Sequence, residues 1–112
     1  GPLTMNANLR YAARIHTDWM ASVDDLSHDS PGGPIGDDLA ERVDASGYNW
    51  MAIAENIAAG YSTIQDVLDG WMSSDGHCRN IMNSNYDEIG IGYVYDSSTT
   101  YDHWWTQNFG RQ

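Results

Sequence analysis

The sequence predicts an α+β fold, with helices packed on a small antiparallel sheet. Three observations predict it. Apolar residues recur at three- and four-residue spacing in separate N-terminal and central stretches, the mark of half-buried helices. Two runs with two-residue alternation, 89–95 and 101–109, close the chain around the turn-rich segment 96–100, which makes them an antiparallel pair. The chain has 112 residues, 41% of them hydrophobic, enough for one core and too few for two. Helices followed by a terminal hairpin favour a layered arrangement.

The elements follow in order. Residues 6–22 read as a helix: Leu9, Ala12, Ala13, His16, Met20 and Val23 share one face, and Asn6 can cap it. His16 in the middle of that face reads as a core histidine bonded to a backbone carbonyl. Residues 26–34 hold too many breakers for regular structure. A second helix, 36–46, turns Leu39, Ala40 and Val43 inward and stops at Gly47, where a left-handed residue suits the helix end. Residues 53–58 read as extended, although Glu55-Asn56 interrupts the apolar run. Ser62-Thr63-Ile64-Gln65 offers a capping box to a third helix, with Ile64, Val67, Leu68, Trp71 and Met72 inward. Asp75-Gly76 ends it, and residues 77–82 form a further turn. No repeat, linker or low-complexity tract divides residues 1–112, which read as one domain. The opening Gly1-Pro2-Leu3-Thr4 reads as a cloning remnant or the tail of a longer loop.

Charge narrows the function. Sixteen acids face five bases, all arginine, for a net charge of −11. That field repels phosphate backbones and anionic headgroups, so neither nucleic acid nor a polybasic membrane anchor is an expected partner. No apolar run approaches the roughly 20 residues of a membrane span. Cys78 is the only cysteine. It fits either a small buried hydrophobe or half of a disulfide whose partner lies elsewhere.

No phosphate-binding loop, nucleophile elbow or His-Glu-x-x-His pair occurs. What remains is polar chemistry in irregular places. His28 lies in the Pro/Gly loop, Glu55 interrupts an apolar segment, and His77 follows a break. A carboxylate in such a segment is costly to bury unless paired or coordinated. Two imidazoles and a carboxylate suit zinc or another divalent cation. On spacing alone a hydrogen-bonded network without metal is the favoured account. Tyr48, Trp50 or Tyr61 beside such a cleft would suit an amphipathic ligand, although Trp50 and Trp71 read first as core.

Several strings occur in order: Ala13-Arg14-Ile15-His16-Thr17-Asp18-Trp19-Met20, Leu26-Ser27-His28, Ala45-Ser46-Gly47-Tyr48-Asn49-Trp50, Ala54-Glu55-Asn56-Ile57-Ala58-Ala59-Gly60, Gly70-Trp71-Met72-Ser73-Ser74-Asp75-Gly76-His77-Cys78-Arg79-Asn80-Ile81-Met82, Glu88-Ile89-Gly90-Ile91-Gly92 and Trp105-Thr106-Gln107-Asn108-Phe109-Gly110. Together they resemble the CAP superfamily (cysteine-rich secretory proteins, antigen 5 and pathogenesis-related class 1 proteins, sharing the SCP domain), in its compact bacterial-type or microbial form. The resemblance implies an α-β-α sandwich and a secreted or cell-surface location. It implies a cleft of two histidines and two glutamates, matched here by His28, His77 and Glu55. The second glutamate position holds Ser74, which leaves a two-histidine, one-carboxylate site with water filling the rest. A further N-terminal helix of the family is not matched. Its absence would expose an apolar face and favour a homodimer or a swap. Thr4 stands where some members carry a cysteine, so Cys78 is expected unpaired.

The resemblance implies, first, a secreted binding protein for a divalent cation and a small hydrophobic or amphipathic ligand, of lipid or sterol type in some members, with no general catalysis. A metal-dependent hydrolase using the same cleft is the alternative. An envelope or matrix interaction module without cleft chemistry is the third reading.

Overall fold

The computed structural model describes residues 2–112. Its elements are β1 (Thr4–Met5), α1 (Ala7–Val23), α2 (Leu39–Ala45), β2 (Ala52–Ala59), α3 (Ile64–Met72), α4 (Asp75–Met82), β3 (Glu88–Tyr95) and β4 (His103–Arg111). The strands lie in the order β1-β3-β4-β2. Both β2 and β3 run antiparallel to β4. The sheet is nevertheless mixed rather than wholly antiparallel, because the short β1 pairs parallel with β3, Thr4 opposite Glu88. Two residues carry no periodicity, so this strand leaves no pattern in the sequence.

The fold is an α-β-α sandwich. Alternation along β4 builds it: Trp104 faces Met20 and Ala21 of α1, while its neighbour Trp105 faces Val67 and Trp71 of α3. Leu9 and Ala12 of α1, Val43 of α2 and Tyr48 fill the far end of the first layer. On the opposite side α4 joins α3, with Ile81 packed against the Trp71–Trp105 cluster. In α1, Asn6 caps by accepting from the Asn8 and Leu9 N–H groups. In α2, Asp38 caps by accepting from Glu41, so the helix starts later than residue 36. Gly47, at φ +87°, follows its last turn.

Three local readings are corrected. The cap of α3 is Thr63, which accepts from Asp66, and not Ser62. Ile64 and Met72 are exposed, leaving Val67, Leu68 and Trp71 as the inward face. Asp75-Gly76 opens α4 instead of ending α3, which closes at Ser73. In α1, Val23 is likewise exposed.

The closest approach in the sandwich is α1 onto β3. A Cβ at Gly90 would collide with the backbone nitrogen of Arg10, and one at Gly92 would sit 2.7 Å from the Ala13 carbonyl. The backbone cannot yield there without lifting α1 off the sheet. Gly90→Ala is therefore expected to destabilise by about 3 kcal/mol or more. Gly76→Ala, with open space at its Cβ, is expected to be neutral or to stabilise by up to about 1 kcal/mol. Urea denaturation of the two variants checks this.

Candidate functional site

Glu55 lies on β2 with Ile53 and Ile57, whose side chains pack in the α1/α2 layer, so alternation turns its carboxylate into that layer. Only 2% of its side chain is exposed. Such a charge needs a partner, and Arg42 of α2, itself 1% exposed, supplies one. Arg42 Nη2 donates to Glu55 Oε1 and Oε2 at 3.1 and 3.0 Å. The same guanidinium donates to the His28 carbonyl at 2.9 Å and the Ser30 hydroxyl at 2.8 Å, fastening the Pro/Gly loop to the helix. Asn108 of β4, its amide nitrogen turned to the carboxylate, donates to Oε2 at 2.8 Å.

His28 completes the set. Its Nδ1 lies 3.0 Å from Glu55 Oε1. A carboxylate only accepts, so Nδ1 carries the hydrogen and the other ring nitrogen, Nε2, holds the free lone pair of the neutral ring. This bond holds the imidazole's pKa above its ordinary 6.5, against an opposing effect of partial burial. The ring is 57% exposed, so it bridges a sealed ion pair and solvent. Beside it opens a hollow of about 400 Å³ bordered by Asp29, Asp38, Leu39, Trp50 and Ile53. Trp50 is thus a wall of this hollow and not core. Its indole N–H donates to Asp44 at 2.7 Å.

His77 sits in the first turn of α4, with Nδ1 3.0 Å from the Ser74 hydroxyl. It lines a different hollow of about 280 Å³, with Leu26, Tyr61, Trp71 and Ser74. Burial lowers its pKa, and the charge on nearby His28 lowers it further. His16 is fully buried, donates from Nε2 to the Ser27 carbonyl at 2.7 Å and stacks on Trp19. Burial depresses its pKa, so it stays neutral. Trp71 is buried and donates to the Ile57 carbonyl. Tyr48 is buried, its hydroxyl on Glu88. Cys78 is a half-buried free thiol.

His28 and Glu55 border one hollow and His77 another, and the two imidazoles lie near enough for the charge of His28 to lower the His77 pKa. Adjacent strand residues face opposite ways: Glu55 points to Arg42, whereas Asn56 reaches the α4 side and donates to the His77 carbonyl. Among the described residues no three His, Cys, Asp or Glu side chains group to hold a metal. Glu55 is unsuited as a ligand, its oxygens being occupied and sealed. What does fit a divalent cation is an imidazole backed by a carboxylate, as His28 is, since that contact orients the ring and raises its basicity. Arg42, Ser30 and Asn108 escaped the sequence reading, yet Arg42 lies three residues after the inward Leu39 and so on its face.

Arg42→Met strands the Glu55 charge and is expected to cost about 3–5 kcal/mol by urea denaturation at neutral pH, much of it recovered by adding Glu55→Gln. In an NMR titration His28 is expected to have a midpoint above 6.5, and His16 and His77 below it. The stability that His28 contributes is full below pH 6.5 and is lost as pH rises through its folded value. His16 and His77 act oppositely, withdrawing stability as pH falls below 6.5. Glu55→Gln should move the His28 midpoint down toward 6.5.

Comparison with known proteins places this architecture. The family described as CAP, cysteine-rich secretory protein family, matches residues 1–109. The chain is 34% identical over 110 residues to YkwD of Bacillus subtilis (strain 168), covering 96% of this chain and 39% of YkwD. An extracellular protein containing a SCP domain from Bacillus anthracis str. Ames superposes with a TM-score of 0.83 at 32% identity, over 98% of this chain and 34% of that one. An outer surface protein of Borrelia burgdorferi shares the fold, with a TM-score of 0.85 at 17% identity, covering 100% of this chain and 79% of that one. The chain thus spans little more than a third of the two Bacillus relatives. A helix-sheet-helix sandwich with this succession of motifs, matched along nearly its whole length, belongs to the CAP family of cysteine-rich secretory proteins.

Proposed function

We propose that the chain is an extracellular binding module whose ligand meets the His28 imidazole at the mouth of the 400 Å³ hollow. The observation that carries this is the ring's double character, anchored at Nδ1 to a buried carboxylate and open to solvent on its other side. Leu39, Trp50 and Ile53 give the hollow apolar walls, so a small amphipathic molecule suits it. The family's description as secretory and that of the Bacillus anthracis relative as extracellular support the location. No helix among the described residues is long and apolar enough to cross a membrane. Binding is favoured over metal-assisted hydrolysis because Glu55, the carboxylate that would serve as base, is committed to Arg42 and closed to water.

The same imidazole would hold a divalent cation such as zinc through Nε2, with His77 as second donor and water completing the shell. A bound cation would supply a Lewis-acidic anchor for a polar ligand head. Glu55 then acts as the group that orients His28 and not as a ligand.

Zinc calorimetry tests this reading. Wild type is expected to bind, and His28→Ala to lose the binding. His77→Ala should weaken it, and Glu55→Gln should weaken it by about 10–100-fold through the lost orientation. Affinity should fall as pH drops toward and below 6.5, beginning early because His28 holds its proton to higher pH. Unchanged zinc binding in His28→Ala would overturn the assignment.

A further inference from the structure

We propose that the hollow beside His28 selects small organic cations with an apolar body, of the alkyl- or arylammonium class. The inference rests on reading that hollow as the ligand site and names what enters it.

The walls make the selection. Asp29 and Asp38 border the hollow, and no lysine or arginine does. Asp38 uses Oδ1 to cap α2, accepting from the Glu41 N–H at 2.9 Å, which leaves Oδ2 unengaged. The Asp29 carboxylate makes no hydrogen bond among the described residues; only its backbone N–H is engaged, with Ser27. The third carboxylate at the hollow, Glu55, is neutralised by buried Arg42, so it neither adds to nor cancels the field of the two aspartates. The Trp50 ring lines the same hollow as these acids and the aliphatic Leu39 and Ile53, and is held by its bond to Asp44. An indole attracts a cation to its face, and a fixed one gives up little freedom in doing so. Net charge of −11 extends the preference outward, drawing cations toward the surface and repelling carboxylates. Fatty acids and other anionic amphiphiles therefore meet two unpaired aspartates, whereas an ammonium head finds partners for its charge and a wall for its body.

Three ligands with one body and different heads test this: phenethylammonium, 2-phenylethanol and phenylacetate, titrated at about pH 8 and followed by the Trp50 indole N–H in NMR. The ammonium is expected to bind at least about tenfold more tightly than the alcohol, with phenylacetate weakest. Asp29→Asn and Asp38→Asn should each weaken the ammonium about three- to fivefold and leave the alcohol unchanged, the asparagine at 38 still capping α2. Trp50→Leu should weaken both. Equal affinities for the three heads, or no response of Trp50 to the ammonium, would overturn the inference. Selectivity unchanged in both aspartate variants would also overturn it, and these fold because the replaced groups are exposed. Zinc added to the same samples separates the two readings. A zinc response at His28 with no preference for ammonium sinks this inference alone, and ammonium selectivity without a zinc response sinks only the divalent-cation assignment.

Discussion

The ion pair between Arg42 and Glu55 is the contact on which the first layer depends. A carboxylate inside an apolar strand is intolerable alone, and a guanidinium at the floor of a helix is no better. Joined, they commit α2 to β2 at one register, because only one turn of the helix carries the guanidinium. Val43, the next residue, drops into the core with Leu9 and Tyr48. Two further N–H groups of the same arginine, on Nη1 and Nη2, hold the hydroxyl at 30 and the backbone at 28. Strand, helix and loop thus meet at one planar fork, a geometry that lysine, with its point charge, cannot reproduce.

This explains why a loop residue is so well placed. Loops ordinarily give poor positional control. Here His28 is held at both ends of the residue, its carbonyl by Arg42 and its ring by Glu55. The polar network on the opposite face has a different task. Asn56 donates to Gln107 and to the His77 carbonyl, and Asn80 donates back to Asn56, so α4 is moored to the sheet by amides and not by apolar packing alone. No α4 residue is fully buried, in keeping with that mooring.

Much of this was legible in the chain. α1, β3 and β4 declare themselves through period, β2 only as a short apolar run broken by Glu55-Asn56, and the family motifs give the layering. Local competition decided the failures. Ser62 and Thr63 are both able to cap, and only the packing of Val67 and Trp71 chooses between them. Trp50 looked like core because its size suggests burial, but the hydrogen bond to Asp44 holds it at the rim. The role of Glu55 was half legible. Its cost points to a partner, and the sequence alone does not separate a metal from a charged side chain in that place. The true partner was a residue thirteen positions earlier, whose helical spacing from Leu39 already put it on the buried side. Arginine is so often a surface residue that this spacing alone does not mark it as buried.

The segment that carries His28 closes on itself. Ser30 donates its backbone N–H to Asp37 and its hydroxyl to Gly36, and Gly33 donates back to Ser30. Residues 31–35 are therefore a small side chamber whose entrance and exit are tied together. Chain added within it would swell outward into water at little entropic cost and would leave the imidazole where it is. The fold thereby offers a graft position for extra sequence next to the hollow beside His28, insulated from the groups that hold that hollow in shape.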